Sequence, residues 1–495
     1  VRKLVLAAAC ATVALTPACA TLYPAAYTQR VVILGIDGLD PDLAREFMRD
    51  GRLPNLAALA ARGGFYELQT ISAPECEAAW STIGAGREVD TPVVTHEPAK
   101  LLLNFVPVAG ETWSAARTGA SFWSTAAHAG VRASVIAVPG SFPPEPLPNG
   151  ELLAGPPLPD IRRTQGTYHL FSSTLPAPDE GVTANGGILR RLHFERRVAH
   201  AQIAGPLHPV SRDELTLPLT VTWNHEARSA NVEIGSHAVH LREREWSRWL
   251  ELDFAVNAVS RVRGFAQVFL IRAGTELVLY VSPVHWHPAR PPAPISSPPA
   301  FSRELFDRLG LFRTMGWTAA TAALTDERLD EAAFLDDVDR AFQDRAETIL
   351  NRFDAGAWDL LVGVIDTPDR VQHMMWRLTD PAHPRYDSEL ARRYGTSIEQ
   401  SYQQADGLLG EIMTRIGQAP DTLLLVVSDH GFHTVRSQSK WSGDHTASDP
   451  TTIAGLLVTN RPLSTDSPRA IDIAPTVLRH FGLALPADYT GKPLF

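Results

Sequence analysis

The chain has 495 residues, 44 % apolar and 20 % charged, which is the balance of a globular protein with a sizeable core. At roughly 150 residues per domain, it holds about three domains or one large domain with insertions. A net charge of −10 excludes the basic footprint of a nucleic-acid-binding protein, and three cysteines exclude a disulfide framework or a thiolate zinc site.

Residues 1–20 read as a signal peptide: Arg2 and Lys3 precede an apolar run over 4–15, and Ala18-Cys19-Ala20 offers a small-x-small cleavage site. Cleavage there leaves Cys76 as the sole cysteine of the mature chain. The alternative is a lipoprotein signal ending at Cys19, with Thr16 standing where an aliphatic residue is usual. Either reading predicts export to the periplasm or outer cell surface, with membrane association only through a lipid on Cys19. No interior stretch reaches the ~20 apolar residues of a transmembrane helix.

Further along, aliphatic runs at 31–35 (VVILG), 133–138 (ASVIAV), 360–365 (LLVGVI) and 423–427 (LLLVV) predict buried parallel strands. Helical patterns lie between them, at 41–49, 53–62 and 331–353. Short, often alternating strands at 217–223, 231–234, 249–254, 268–271 and 277–281 differ in kind. They predict a β-rich module inserted over 186–294 and closed by the stiff proline-rich linker 288–294. The expected fold class is therefore α/β: a mostly parallel central sheet flanked by helices, built from 21–185 plus 295–495, with the β module inserted.

Three of the predicted strands run into acids: Asp37, then Asp366 with Asp369 close behind, then Asp429-His430-Gly431. Ligands of open α/β sheets bind beyond the carboxyl ends of the strands. Carboxylates converging there repel one another unless cations neutralise them. Asp369 and His373 stand one helical turn apart, and Gly443-Asp444-His445 adds another imidazole from a Ser/Gly-rich loop. Asp37, Asp369, His373, Asp429, His430 and His445 suit two divalent cations, zinc first, with manganese or a mixed pair the alternatives. Two such ions can clamp the attacking and leaving oxygens of a phosphoryl displacement. A nucleophile for that reaction belongs near a helix N-terminus, and the segment 74–86 (PECEAAWSTIGAG) offers adjacent hydroxyls on Ser81 and Thr82. Cys76 has no nearby histidine or basic residue in the sequence and reads as a small buried side chain.

With these residues in place, the chain resembles the alkaline phosphatase superfamily, in particular its type I phosphodiesterase/nucleotide pyrophosphatase family. The likeness rests on VVILGIDGLDP, APECEAAWSTIGAGR, DTPDRVQHMMWR, VVSDHGF and SGDH in order, followed by Ala470–Thr476, Gly482 and the closing GKPL. The resemblance implies one zinc on Asp369, His373 and His445, and another on Asp37, Asp429, His430 and the Thr82 oxygen. Thr82 is selected by counting four residues back from Gly86, and it would form a covalent phospho-enzyme ester. Asn104 stands near where diesterase relatives place a phosphate-binding asparagine. The implied substrate is a small-molecule or lipid-linked phosphoester. Departures from the family pattern follow Gly86, where Arg87-Glu88-Val89-Asp90 replaces the usual segment. A phosphomonoesterase or phosphonate hydrolase on the same core is the enzymatic alternative, and a non-catalytic surface-binding protein is the other.

Overall fold

The structure is a computed structural model describing residues 27–70, 75–102, 106–109, 111–117, 119–317, 319–417, 421–445 and 453–495. The expected signal peptide with Cys19, and Asn104, lie outside the described residues. No helix among the described residues is long and apolar enough to cross a membrane.

The aliphatic runs become the middle of an eight-stranded sheet. In chain order its strands are β1 (Arg30–Ile36), β2 (Gly64–Leu68), β3 (Ala133–Ile136), β4 (Gly150–Leu153), β5 (Ser296–Ser297), β6 (Leu360–Ile365), β7 (Thr422–Val427) and β8 (Gly455–Thr459). Across the sheet they lie in the order β2-β8-β7-β1-β6-β3-β4-β5. The neighbours β7, β1, β6, β3 and β4 are parallel. β8 runs antiparallel to β7, and β5 antiparallel to β4. The fold is thus α/β around a mostly parallel sheet, as the sequence pattern predicts.

Register decides what happens at the carboxyl edge. Gly35 of β1 lies level with Val364 of β6 and Val427 of β7, so these three adjacent strands end together. Asp37, Asp366 and Ser428 are the first residues past that edge.

The main helices are α1 (Pro41–Arg49), α2 (Pro54–Gly63), α3 (Cys76–Ala85), α4 (Phe122–His128), α5 (Glu331–Ala355), α6 (Thr367–Met375), α7 (Ser397–Ile416) and α8 (Ile473–His480). α1 begins where Asp40 accepts from the Asp42 and Leu43 amides, with Pro41 in the first turn. α3 is seated by Gly35: a Cβ there would lie 2.5 Å from the Trp80 ring and 2.7 Å from Val364. At its other end, Gly86 caps α3 at φ 64° and accepts hydrogen bonds from the Thr490 and Gly491 amides. The closing GKPL segment is therefore a clasp under α3. Lys492 N donates to Asp472 and Leu494 N to Thr476.

The β module opens earlier than the expected boundary at 186. Strand His169–Ser172 pairs with Ile188–Arg191 on one side and with Leu277–Val281 on the other, inside a six-stranded sheet. Four residues followed by a polar, Pro/Gly-bearing stretch give too little periodicity to mark a strand. The strands expected between 217 and 281 are present: two in a five-stranded antiparallel sheet, two in the six-stranded sheet, and Leu250–Ala255 in a three-stranded one. The module is not an appendage: its buried Ile203, Val221, Phe254 and Leu279 are continuous with the core of the central sheet. Asp160 ties the two together, accepting from the amides of Arg162, Thr164 and Thr167 while its carbonyl accepts from the Trp286 indole. After the module, the chain returns through β5 and then brings Trp317 toward the carboxyl edge of the sheet.

Candidate two-metal site

The loops leaving β1, β6 and β7 are stitched to one another before any ligand arrives. Leu39 N donates to Ser428 Oγ, which in turn donates to the His430 carbonyl. Gln372 of α6 donates to the Gly38 carbonyl at 2.6 Å and accepts from Tyr402 of α7. Phe432 N donates to Asp40. The loop carrying His445 is held by Ser442 N donating to the His373 carbonyl and by a short ribbon pairing His433 with Asp444. Such cross-links fix the side chains ahead of binding, which is what a preorganised site requires.

Six predicted ligands meet on this scaffold. Asp37, Asp369 and Asp429 are all fully buried, and His373, His430 and His445 nearly so. His430 Nε2 lies 3.3 Å from Asp37 and 3.4 Å from Asp429, while His373 Nε2 lies 3.4 Å from Asp369. The rings of His430 and His445 stack at 3.9 Å, and Trp441 stacks on His373 at 3.7 Å. His373 Nδ1 donates to the Gly443 carbonyl and His430 Nδ1 to the Gly431 carbonyl, which turns each Nε2 lone pair inward.

Most polar atoms of the cluster lack a hydrogen-bond partner among the described residues. Both oxygens of Asp37 and of Asp429, Asp369 Oδ1, His373 Nε2 and His445 Nδ1 have no hydrogen-bond partner among the described residues. Orphaned buried carboxylates are strongly unfavourable unless cations satisfy them. Borderline divalent ions fit this oxygen and nitrogen donor set.

The electrostatics agree. Burial, reinforced by Asp369, pushes the Asp37 carboxyl well above the usual range, and burial with Asp37 does the same to Asp429. Asp369 goes the other way: against the penalty of burial, the adjacent Arg370 guanidinium and His373 hold it well below the ordinary value. Burial lowers His373 and His445, leaving the neutral imidazoles that metal binding needs.

Thr82 is not part of this assembly. It is wholly buried, and its Oγ1 donates to the Val89 carbonyl at 3.3 Å and accepts from the Val89 amide at 3.2 Å. Ser81 fares no better: its Oγ faces Gly140, where an added Cβ would sit 2.4 Å away. The residue that reaches the cluster is Cys76, the first residue of α3. Its Sγ lies 3.3 Å from His430 Nε2 and 3.7 Å from His445 Nε2. Six residues separate Cys76 from Thr82, which in a helix is about 9 Å along the axis and roughly 240° around it. Only one of them can face the sheet edge, so the expected Thr82 nucleophile and zinc ligand is corrected. Burial, with Asp37, Asp369 and Asp429, raises the Cys76 thiol in the absence of cations.

Two further side chains complete the rim. Arg370 is buried, donates to Asp369 and stacks its guanidinium on Trp317 at 4.3 Å, while its Nε is without a partner among the described residues. Arg87, which follows the cap of α3, is drawn off to Asp488 at 3.2 Å.

A family model described as type I phosphodiesterase / nucleotide pyrophosphatase matches residues 31–204 and 248–457. The chain belongs to this family. The interval between the matched parts falls within the β module, chiefly its five-stranded sheet. No curated protein matches the chain. Among solved structures, murine ectonucleotide pyrophosphatase/phosphodiesterase 5 aligns over 92 % of this chain and 96 % of its own at 10 % identity and a TM-score of 0.38. A putative sulfatase from Bacteroides thetaiotaomicron aligns over 94 % and 74 % at 9 % identity and TM-score 0.40. Another, from Bacteroides fragilis, aligns over 94 % and 76 % at 11 % identity and TM-score 0.38.

For a phosphodiesterase-family chain, the cysteine at the head of α3 is the feature that reading the sequence missed. The signal was present: a nucleophile was expected at a helix N-terminus, and Cys76 is the first helical residue whereas Thr82 is the seventh. Its missing histidine partners arrive from residues 430 and 445, far away in the chain.

Proposed function

We propose that this chain is a two-metal phosphodiester hydrolase in which Cys76 Sγ, rather than a hydroxyl, attacks phosphorus. The observation that carries the reading is the position of that sulfur. It shares one cluster, all ligand atoms within 4.8 Å of one another, with Asp369, His430 and His445, and a second such cluster with Asp37, Asp429 and His430.

Two divalent cations bound to these side chains would neutralise the phosphoryl oxygens and favour the thiolate. The residues do the rest. Cys76 forms a sulfur–phosphorus bond as the bond from phosphorus to the leaving oxygen breaks, and the released alkoxide takes a proton from water. A water molecule then cleaves the sulfur–phosphorus bond, freeing a phosphate monoester and restoring the thiol. At the head of α3 the Ala78 and Ala79 amides donate to the Glu75 carbonyl, so the Cys76 and Glu77 amides ahead of them are the ones offered to a phosphate oxygen. Arg370, which donates to Asp369 here, would offer its guanidinium to a non-bridging oxygen were that carboxylate engaged by a cation. Trp317 on the other face of Arg370 keeps it in place.

Arg370 also favours a second reading, a phosphomonoesterase, because a monoester carries more charge for such a group to meet. The leader read in residues 1–20 supports work in the periplasm or at the outer surface on small or lipid-linked phosphoesters. The deciding experiment compares an aryl phosphodiester, monoester and phosphonate with zinc or manganese supplied. The diester is expected to turn over fastest, and Cys76→Ala is expected to abolish it. Full turnover by Cys76→Ala removes the thiol mechanism. A metal-free protein at neutral pH removes the hydrolase reading and favours a binding protein.

A further inference from the structure

We propose that Cys76 Sγ is a bridging thiolate, held by both metal ions at once, and that it makes this site selective for thiophilic cations. The proposal rests on the two-ion reading above but not on turnover.

Cys76 and His430 are the residues common to both ligand clusters. They are not equivalent as donors. With Nδ1 donating to the Gly431 carbonyl, His430 has a single lone pair on Nε2 and can serve one ion. That lone pair points between Asp37 and Asp429, at 3.3 and 3.4 Å, and lies farther from Asp369, at 4.0 Å. His430 thus belongs with Asp37 and Asp429. A thiolate sulfur carries several lone pairs and can bind two ions, so sharing falls to Sγ.

The remaining donors then divide evenly. Asp37, Asp429 and His430 hold one ion, and Asp369, His373 and His445 the other. A shared sulfur gives each a fourth ligand and a four-coordinate set of the kind zinc prefers. Charge balances as well. Three carboxylates and one thiolate carry as many negative charges as two divalent cations carry positive, leaving Arg370 as the unspent cation facing the site. The proposal departs from the exclusion of a thiolate zinc site by cysteine count, because one sulfur suffices when it is shared. A soft ligand common to both ions favours zinc, cadmium and cobalt over manganese and magnesium.

The test uses the full chain, stripped by chelation and titrated with cobalt(II) chloride. A cobalt–thiolate bond gives an intense near-ultraviolet charge-transfer absorption that oxygen and nitrogen donors do not. The band is expected to grow through both cobalt equivalents in the wild type. It is expected to be absent from Cys76→Ser and Cys76→Ala, which still show the weaker visible bands of bound cobalt. Zinc affinity of Cys76→Ser is expected to fall by at least about tenfold, with manganese affinity changing less. A wild-type chain that binds two equivalents without the band overturns the proposal whatever the variants do. So does a band that saturates at one equivalent, or one that survives in Cys76→Ser. The expected band without phosphodiester cleavage leaves the bridging thiolate standing and defeats the hydrolase reading; cleavage without the band does the reverse.

Discussion

Replacing Thr82 with valine separates the two candidate nucleophiles without disturbing the helix that carries them. Valine keeps the branched shape and removes only the oxygen. That oxygen contacts the Val89 carbonyl at 3.3 Å and the Val89 amide at 3.2 Å, both long for hydrogen bonds. Such bonds contribute about 0.5–1.5 kcal/mol each, and the Val89 backbone groups left behind are in a half-buried segment that water can partly reach. The expected result for Thr82→Val is a stability loss of about 1–2 kcal/mol, read as a lowered thermal transition, with zinc content and kcat/KM on an aryl phosphodiester unchanged. If Thr82 were the attacking group, the loss would instead be on the order of a millionfold in kcat, as for deletion of a nucleophile elsewhere. A Thr82→Val protein that melts like the wild type, keeps its metals and has lost turnover would refute the assignment to Cys76.

Chelation should interact with pH in a defined direction. In the metal-free chain Asp37 and Asp429 sit well above their unfolded value of 3.8, so between 3.8 and the raised folded values the folded state holds more protons than the unfolded one. Stability of the chelated protein therefore falls as pH rises through that window, while the loaded protein escapes this loss. Melting with EDTA and with zinc from pH 5 to 8 should show a gap that widens upward; a gap that narrows contradicts the buried-carboxylate argument. Arg370→Ala should lower kcat/KM by about 10- to 100-fold, the range of a charged hydrogen bond, and more for a monoester than a diester, with partial recovery in Arg370→Lys. An equal loss on both substrates accompanied by lost zinc would mean that Arg370 serves only to hold Asp369.

The acids at the carboxyl edge were legible because each is written into a local pattern. An aliphatic run ending in Asp37, Asp366 or Asp429 states both a buried strand and the chemistry at its end, and parallel strands place such ends on one side. The opening of the β module at His169–Ser172 was not legible, since a short strand is defined by the partners it finds at 188–191 and 277–281.

By itself, then, the sequence determined the α/β class, the parallel core and the six side chains expected to hold metal. Those follow from hydrophobic period and residue type, which are local. Only tertiary structure decided which residue of α3 faces them, because that depends on the rotation of the helix over the sheet, set by Trp80 lying against Gly35. The same seating turns Thr82 into the protein interior and delivers the Cys76 sulfur to histidines more than three hundred residues away in the chain.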